Sequence, residues 1–227
     1  MSSVDSLRGD RWRRMGVAVV VSALATSCGT GGDGSAEPTA FTQAKFDPKN
    51  FVDPRTGAGN PYFPLKPGMQ WLRQGTTLVG NRAVPNTVVV TITDAVRVIN
   101  GVKTLLSYDH SIAAGEVVQE SLDYFALDKD GAVWGMAGAT EQFEAGRFVN
   151  VDEVWMDGKE GAVGGTIMPA NPVVTTPPWS IARPKGEDGD AAKVARMQAK
   201  ECEPYGCFHA ARGGEGGKRK ARENGTK

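Results

Sequence analysis

The chain has 227 residues, and its 26 basic and 26 acidic side chains cancel. That balance excludes the strongly basic profile of a protein built to hold nucleic acid. Only two His and three Cys are present, which leaves little material for Ser–His or Cys–His catalysis or for a closed metal site.

Arg8, Arg11, Arg13 and Arg14 form a basic leader ahead of the apolar run Met15–Ala25. That run is shorter than the ~20 residues a membrane span requires, so residues 1–27 read as a secretory signal peptide. Thr26-Ser27-Cys28 ends it with small residues. Ala25-Thr26-Ser27-Cys28 resembles a bacterial lipobox, with Ala25 where Leu is commonest. The resemblance implies diacylglycerol on the Cys28 sulfur, cleavage before Cys28, and an acyl chain such as palmitate on the new amino group. Two or three acyl chains at ~0.8 kcal/mol per buried CH₂ anchor a protein without a span. The competing reading is an ordinary cleaved signal with an incidental Cys.

Residues 28–40 continue as a tether rich in Gly, Ser, Thr and Pro, a composition too poor in apolar side chains to fold. Residues 41–182 carry the pattern of one β domain. Phe41–Gly68 is irregular, with Phe46, Phe51, Tyr62, Phe63 and Leu65 as apolar anchors covering an edge of the sheet. Strands are expected at Met69–Leu78, Thr87–Ile99, Val102–His110, Val117–Leu127, Ala132–Gly138, Glu141–Glu144 and Arg147–Val151, with another beginning at Val154. In Thr87–Ile99 the alternation places Val88, Val90, Ile92, Val96 and Val98 on one face. Asn100-Gly101, Ala114-Gly115 and Ala145-Gly146 mark tight turns. The expected fold is all-β, an antiparallel meander of about seven strands curled into a half-barrel or folded as a sandwich. Gly158–Pro178 reads as loop; its glycines lack the Gly-Lys-Ser/Thr order of a phosphate loop.

Asp128-Lys129-Asp130-Gly131 joins the two central strands. An EF-hand register centred on Gly131 leaves Ala126 and Ala137 where the first and last ligands belong. A plain turn is therefore expected. Cys202 and Cys207 make a small disulfide loop the default reading for an exported chain, with a partial metal set of Cys202, Cys207 and His209 as the alternative. His110 beside Asp109, and the pairs Asp123 with Asp128 and Asp152 with Glu153, are the acid–base candidates; solvated strand faces account for them more simply.

The motifs Asn60–Gly68 (NPYFPLKPG), Asp123–Trp134 (DYxAxDxxGxVW) and Ile167–Pro172 (IMPANP) resemble a family of exported bacterial proteins, many of them lipoproteins. The resemblance spans about residues 51–172 and runs faintly to 208. The family has no established activity, so the resemblance implies a domain and an address rather than a reaction. Its members continue with β-strands where this chain turns to glycine and basic residues. Residues 183–227 are accordingly expected to be a basic tail, frameshifted or truncated, with a short helix over Asp190–Lys200.

The expected role is a lipid-anchored module on the extracytoplasmic face of the cell membrane that binds or scaffolds without catalysis. The membrane is held through Cys28; an envelope protein, a polymer or a hydrophobic ligand is the partner. No cofactor, metal or nucleic acid is expected. A carrier of a lipid in a half-barrel is the alternative, and a hydrolase stands third.

Overall fold

A computed structural model of the chain describes residues 44–57, 59–184, 191–203 and 206–216, with backbone alone at 153, 198–203 and 206–216. After a 3₁₀ turn at Pro48–Asn50, the strands are β1 (Phe51–Val52), β2 (Gln70–Val79), β3 (Arg82–Ile99), β4 (Val102–Ala113), β5 (Glu116–Asp128) and β6 (Val133–Glu144). They continue with β7 (Arg147–Met156), β8 (Gly165–Met168), β9 (Trp179–Ser180), β10 (Ala191–Glu203) and β11 (Gly206–Gly216). The architecture is all-β, and no α-helix occurs among the described residues.

Short turns make the main sheet a meander. The pairs Ile99↔Val102, Ala113↔Glu116 and Glu144↔Arg147 each close a two-residue loop. Both loop residues have positive φ: 45° and 79° at Asn100-Gly101, 52° and 87° at Ala114-Gly115, 50° and 70° at Ala145-Gly146. This backbone twists with the flanking strands and forces each strand back against its predecessor. The order is therefore β2-β3-β4-β5-β6-β7, antiparallel throughout. β1 pairs with the end of β5 at Phe51↔Asp128, beyond the last β4 partner at Phe125. β8 likewise pairs β6 at Val133–Gly135, beyond the end of β7.

Alternation along β5 and β6 sends apolar side chains to both faces of the sheet. Ala126, Trp134, Met136 and Ala137 pack with Ile99 and Val102, under Phe46 and Phe51. Leu127 and Val133 pack with Ile92 and Leu105, under Leu65, Phe63 and Ile167. The irregular segment before β2 thus supplies side chains to both faces, so the centre of the sheet is filled from either side.

One sequence expectation needs a limit and two need correction. First, Val96 and Val98 are exposed, at 37% and 62%, while Ile99 is buried at 1%. The pairing shifts between Ile92↔Ser107 and Val96↔Leu105, with Thr93, Asp94 and Ala95 lying between. Three residues of β3 there face the single residue Leu106, so the register moves by two and the alternation keeps its phase. Val96 and Val98 stay on the face of Ile92 and Leu105 but lie beyond its cover, while Ile99 is buried on the opposite face with Val102. Second, the expected loop at Gly158–Pro178 contains β8. Its sequence, GTIM, is too short to announce a strand, and it becomes one by pairing with β6. Third, Ala191–Glu203 is a strand, not a helix, and the strand after it runs to Gly216. β10 carries register shifts between Val194 and Arg196 and between Arg196 and Ala199. Ala191 and Val194 precede both shifts, in a regular part of the ladder that puts them on opposite faces, and both are buried; that spacing of three imitates a helix. β9, β10 and β11 form a second, three-stranded sheet. The Trp179 indole N–H donates to the Thr166 carbonyl at 2.9 Å, and Val163 bridges Arg183, which ties β9 to the β8 region.

Candidate functional site

The three motif segments meet around Asn60, which is 2% exposed. Its side-chain amide donates to the carbonyls of Gly131 at 2.8 Å and Pro169 at 2.9 Å. Its carbonyl oxygen accepts from the backbone N–H groups of Tyr62 and Phe63, at 2.9 and 3.1 Å. One amide therefore fastens the segment before β2 to the β5–β6 turn and to the chain after β8. Sequence reasoning missed this role, because an Asn among Gly and Pro reads as ordinary loop.

Asp128 is consumed in the same way. One carboxylate oxygen accepts from Asp130 N–H at 3.0 Å and Ala132 N–H at 2.8 Å. The other accepts from the Trp134 indole at 3.1 Å. Trp134 in turn packs edge-on to Phe51, with ring centroids 5.3 Å apart, and to Phe46 at 6.4 Å. The acidic turn is thus a structural cap for β5 and β6, and both oxygens a calcium ion would need already have partners. Among the described residues no cluster of His, Cys, Asp and Glu is arranged to hold a metal.

Asp157 makes a third fastening. It is 6% exposed; its carboxylate accepts from Asn100 Nδ2 at 2.9 Å and Gly164 N–H at 2.8 Å. The β3–β4 turn is thereby tied to the chain before β8.

Asp109 and His110 do not form a pair: they are neighbours in β4 and point to opposite faces. His110 Nδ1 lies 3.2 Å from Glu120 Oε1, with the Tyr108 ring 4.2 Å from the imidazole. Burial, followed by the Glu120 carboxylate, pushes the Tyr108 hydroxyl above its ordinary pKa. On the other face, Ser107 Oγ donates to Asp109 Oδ1 at 2.7 Å. Burial raises the Asp109 pKa, and the Ser107 hydrogen bond opposes it. A serine and a carboxylate thus stand together without the imidazole that nucleophilic catalysis would need between them. Asp152 is the register partner of Thr140 in β6.

What that face does offer is a polar belt. Asp109 pairs in register with Ser121, Ser121 with Thr140 and Thr140 with Asp152, so polar residues run from β4 to β7. Ser121 and Thr140 hydroxyls lie 3.2 Å apart, and Gln119 Nε2 donates to Ser121 Oγ at 3.2 Å. Hydroxyl and amide groups of this kind can both donate and accept hydrogen bonds.

A cavity of about 220 Å³ lies between the 3₁₀ turn and the β3–β4 turn, lined by Pro48, Phe51, Val52, Asp53 and Lys103 among others. Small-molecule pockets begin at about 300 Å³. At its rim the Arg55 guanidinium donates to both Asp53 oxygens, at 3.0 and 2.7 Å, and Lys103 Nζ to one at 3.1 Å. Arg55 above all holds the Asp53 carboxyl well below the usual carboxylate range.

Cys28 lies outside the described residues. Cys202 and Cys207 are strand residues whose Cα atoms are direct partners in the β10–β11 ladder. No family model, curated protein or solved structure matches the chain in comparisons with known proteins.

Proposed function

We propose that the protein is a lipid-anchored module of the cell envelope, held on the extracytoplasmic face of the membrane through Cys28, that binds or scaffolds a partner without catalysis. The leader and the Cys that ends it support the address. The observation that supports the role is the filled centre of the sheet. Phe46 and Phe51 close one face over Trp134 and Met136, and Phe63 and Leu65 close the other over Leu127 and Val133. A carrier of acyl chains needs an apolar concavity, and here the apolar side chains occupy that space themselves. The polar belt and the outer strands remain as contact surface for an envelope protein or polymer.

The address is tested with Cys28→Ser. The substitution removes the acylated sulfur and nothing the described fold uses. Labelled palmitate is expected to mark the parent and to be lost from the variant, while the domain keeps its thermal transition. A parent that takes up no label, or a variant labelled as strongly as the parent, contradicts the proposal.

A further inference from the structure

The second sheet ends in a hairpin whose sequence is poor strand material. β11 reads GCFHAARGGEG; Gly206, Gly213, Gly214 and Gly216 supply no side chain to pack and carry an entropic cost in extended backbone. β10 is irregular as well, with two register shifts before Ala199. A two-stranded ribbon of this composition is marginal in water. Yet from Ala199↔Ala210 to Glu203↔Gly206 the ladder holds register without interruption, and within that stretch Cys202 is the partner of Cys207.

We infer that Cys202 and Cys207 are joined by a disulfide that staples the β10–β11 hairpin. Directly opposed residues of an antiparallel ladder have Cα atoms about 4.5–5.5 Å apart, and a disulfide requires about 4.4–6.8 Å. The backbone therefore already holds the two positions at bonding separation. The same pairing fixes the hairpin against slippage by one residue, which alternating side chains alone specify weakly in a Gly-rich strand. Formation breaks two S–H bonds and makes one S–S bond. Overall, two protons and two electrons pass to an oxidant of the disulfide class, whose own S–S bond breaks to give two thiols. In the cell this step depends on the extracytoplasmic address proposed above, because cytosolic thiols stay reduced.

The test separates the staple from the address. The full chain carrying Cys28→Ser, which removes the third thiol, is equilibrated with mixtures of reduced and oxidised glutathione in native buffer and in concentrated urea. It is then quenched in acid, alkylated and digested with trypsin. Cleavage after Lys200 and Arg212 places both cysteines in one peptide, Glu201–Arg212, and the disulfide form is lighter than the dithiol by two hydrogens and escapes alkylation. The expected result is a disulfide equilibrium constant at least about tenfold larger in native buffer than in urea, because folding presents the pair at bonding distance. Equal constants in the two solvents overturn the staple, as does a native preference for mixed disulfides with glutathione. Protein taken directly from cells with both thiols free, despite a native preference in the titration, would fault the extracytoplasmic address and leave the staple standing.

Discussion

Asn60 shows how a single side chain can hold three distant segments. Its four hydrogen bonds are buried, and removing the amide leaves two carbonyls and two N–H groups without partners. Asn60→Ala is expected to cost about 2–4 kcal/mol, read as a fall in the urea midpoint. Asn60→Asp retains the acceptor but turns a carboxylate oxygen toward the Gly131 and Pro169 carbonyls, so it should be no better tolerated than Ala. Asp109 gives a pH signature. Its folded-state pKa is raised by burial, so its favourable contribution is present below the unfolded carboxylate pKa and is lost as pH rises through the folded one. Asp109→Asn keeps an acceptor for Ser107 and removes the buried charge. The variant should be more stable than the parent at neutral pH, with the gain vanishing on acidification through the carboxylate range; denaturation midpoints across pH report it. Asp53, whose pKa is lowered, acts in the opposite sense, but its partners Arg55 and Lys103 are about half exposed, at 46% and 53%. Solvent screens that cluster, and its pH dependence should be weak. The role of Asp128 was legible in the sequence, because Asp in a turn ahead of Gly bonds its own backbone. That of Asn60 was not, because its partners lie 71 and 109 residues away.

At the level of the strand, local chemistry predicts best where turns are tight. Asn100-Gly101, Ala114-Gly115 and Ala145-Gly146 announce their hairpins, and the long strands between them alternate clearly. The pattern misleads where the cover of a face runs out. Val98 shares the face of Ile92 and Leu105 but lies beyond its core and faces solvent; Ile99, on the opposite face, is buried with Val102. Ile99→Ala should therefore cost about 2–5 kcal/mol, as a large core truncation does. Val98→Thr should change stability by less than about 0.5 kcal/mol, as most surface substitutions do. A paired measurement of the two midpoints separates the readings, and a Val98→Thr cost as large as that of Ile99→Ala would show that the face of Ile92 is covered as far as Val98. β8 and β10 escaped sequence reasoning for a different reason. β8 has only four residues and owes its strand state to β6. β10 buries Ala191 and Val194 on opposite faces, so its buried residues are spaced by three. The outer strand β7 leaves Phe148, Val149, Val151 and Val154 exposed, at 56%, 50%, 47% and 70%. No strand pairs its outer side among the described residues, so β7 is the segment of the main sheet best placed to meet another surface.

For the whole molecule, the fold explains why the chain advertises an address more loudly than an activity. Its most distinctive residues, Asn60, Asp128, Trp134 and the Pro-rich turns, are spent on fastening loops to a meander whose two faces both need cover. Several of its carboxylates have structural partners: Asp128 and Asp157 accept from backbone N–H groups, Asp109 accepts from Ser107, and Glu120 lies against His110. In the proposed function the working part is the surface of a domain that an anchor at Cys28 keeps at the membrane.

The measurement that bears most directly on this account is the mass, under native conditions, of the protein extracted from its own membrane, compared with the sequence mass from Cys28 to Lys227. The account predicts an excess that matches covalent acyl chains on Cys28 and nothing that dissociates on activation, since the faces of the sheet are already filled. A stoichiometric mass that leaves on activation would contradict the filled-core reading and make the protein a carrier. The absence of any acyl mass would contradict the anchor itself.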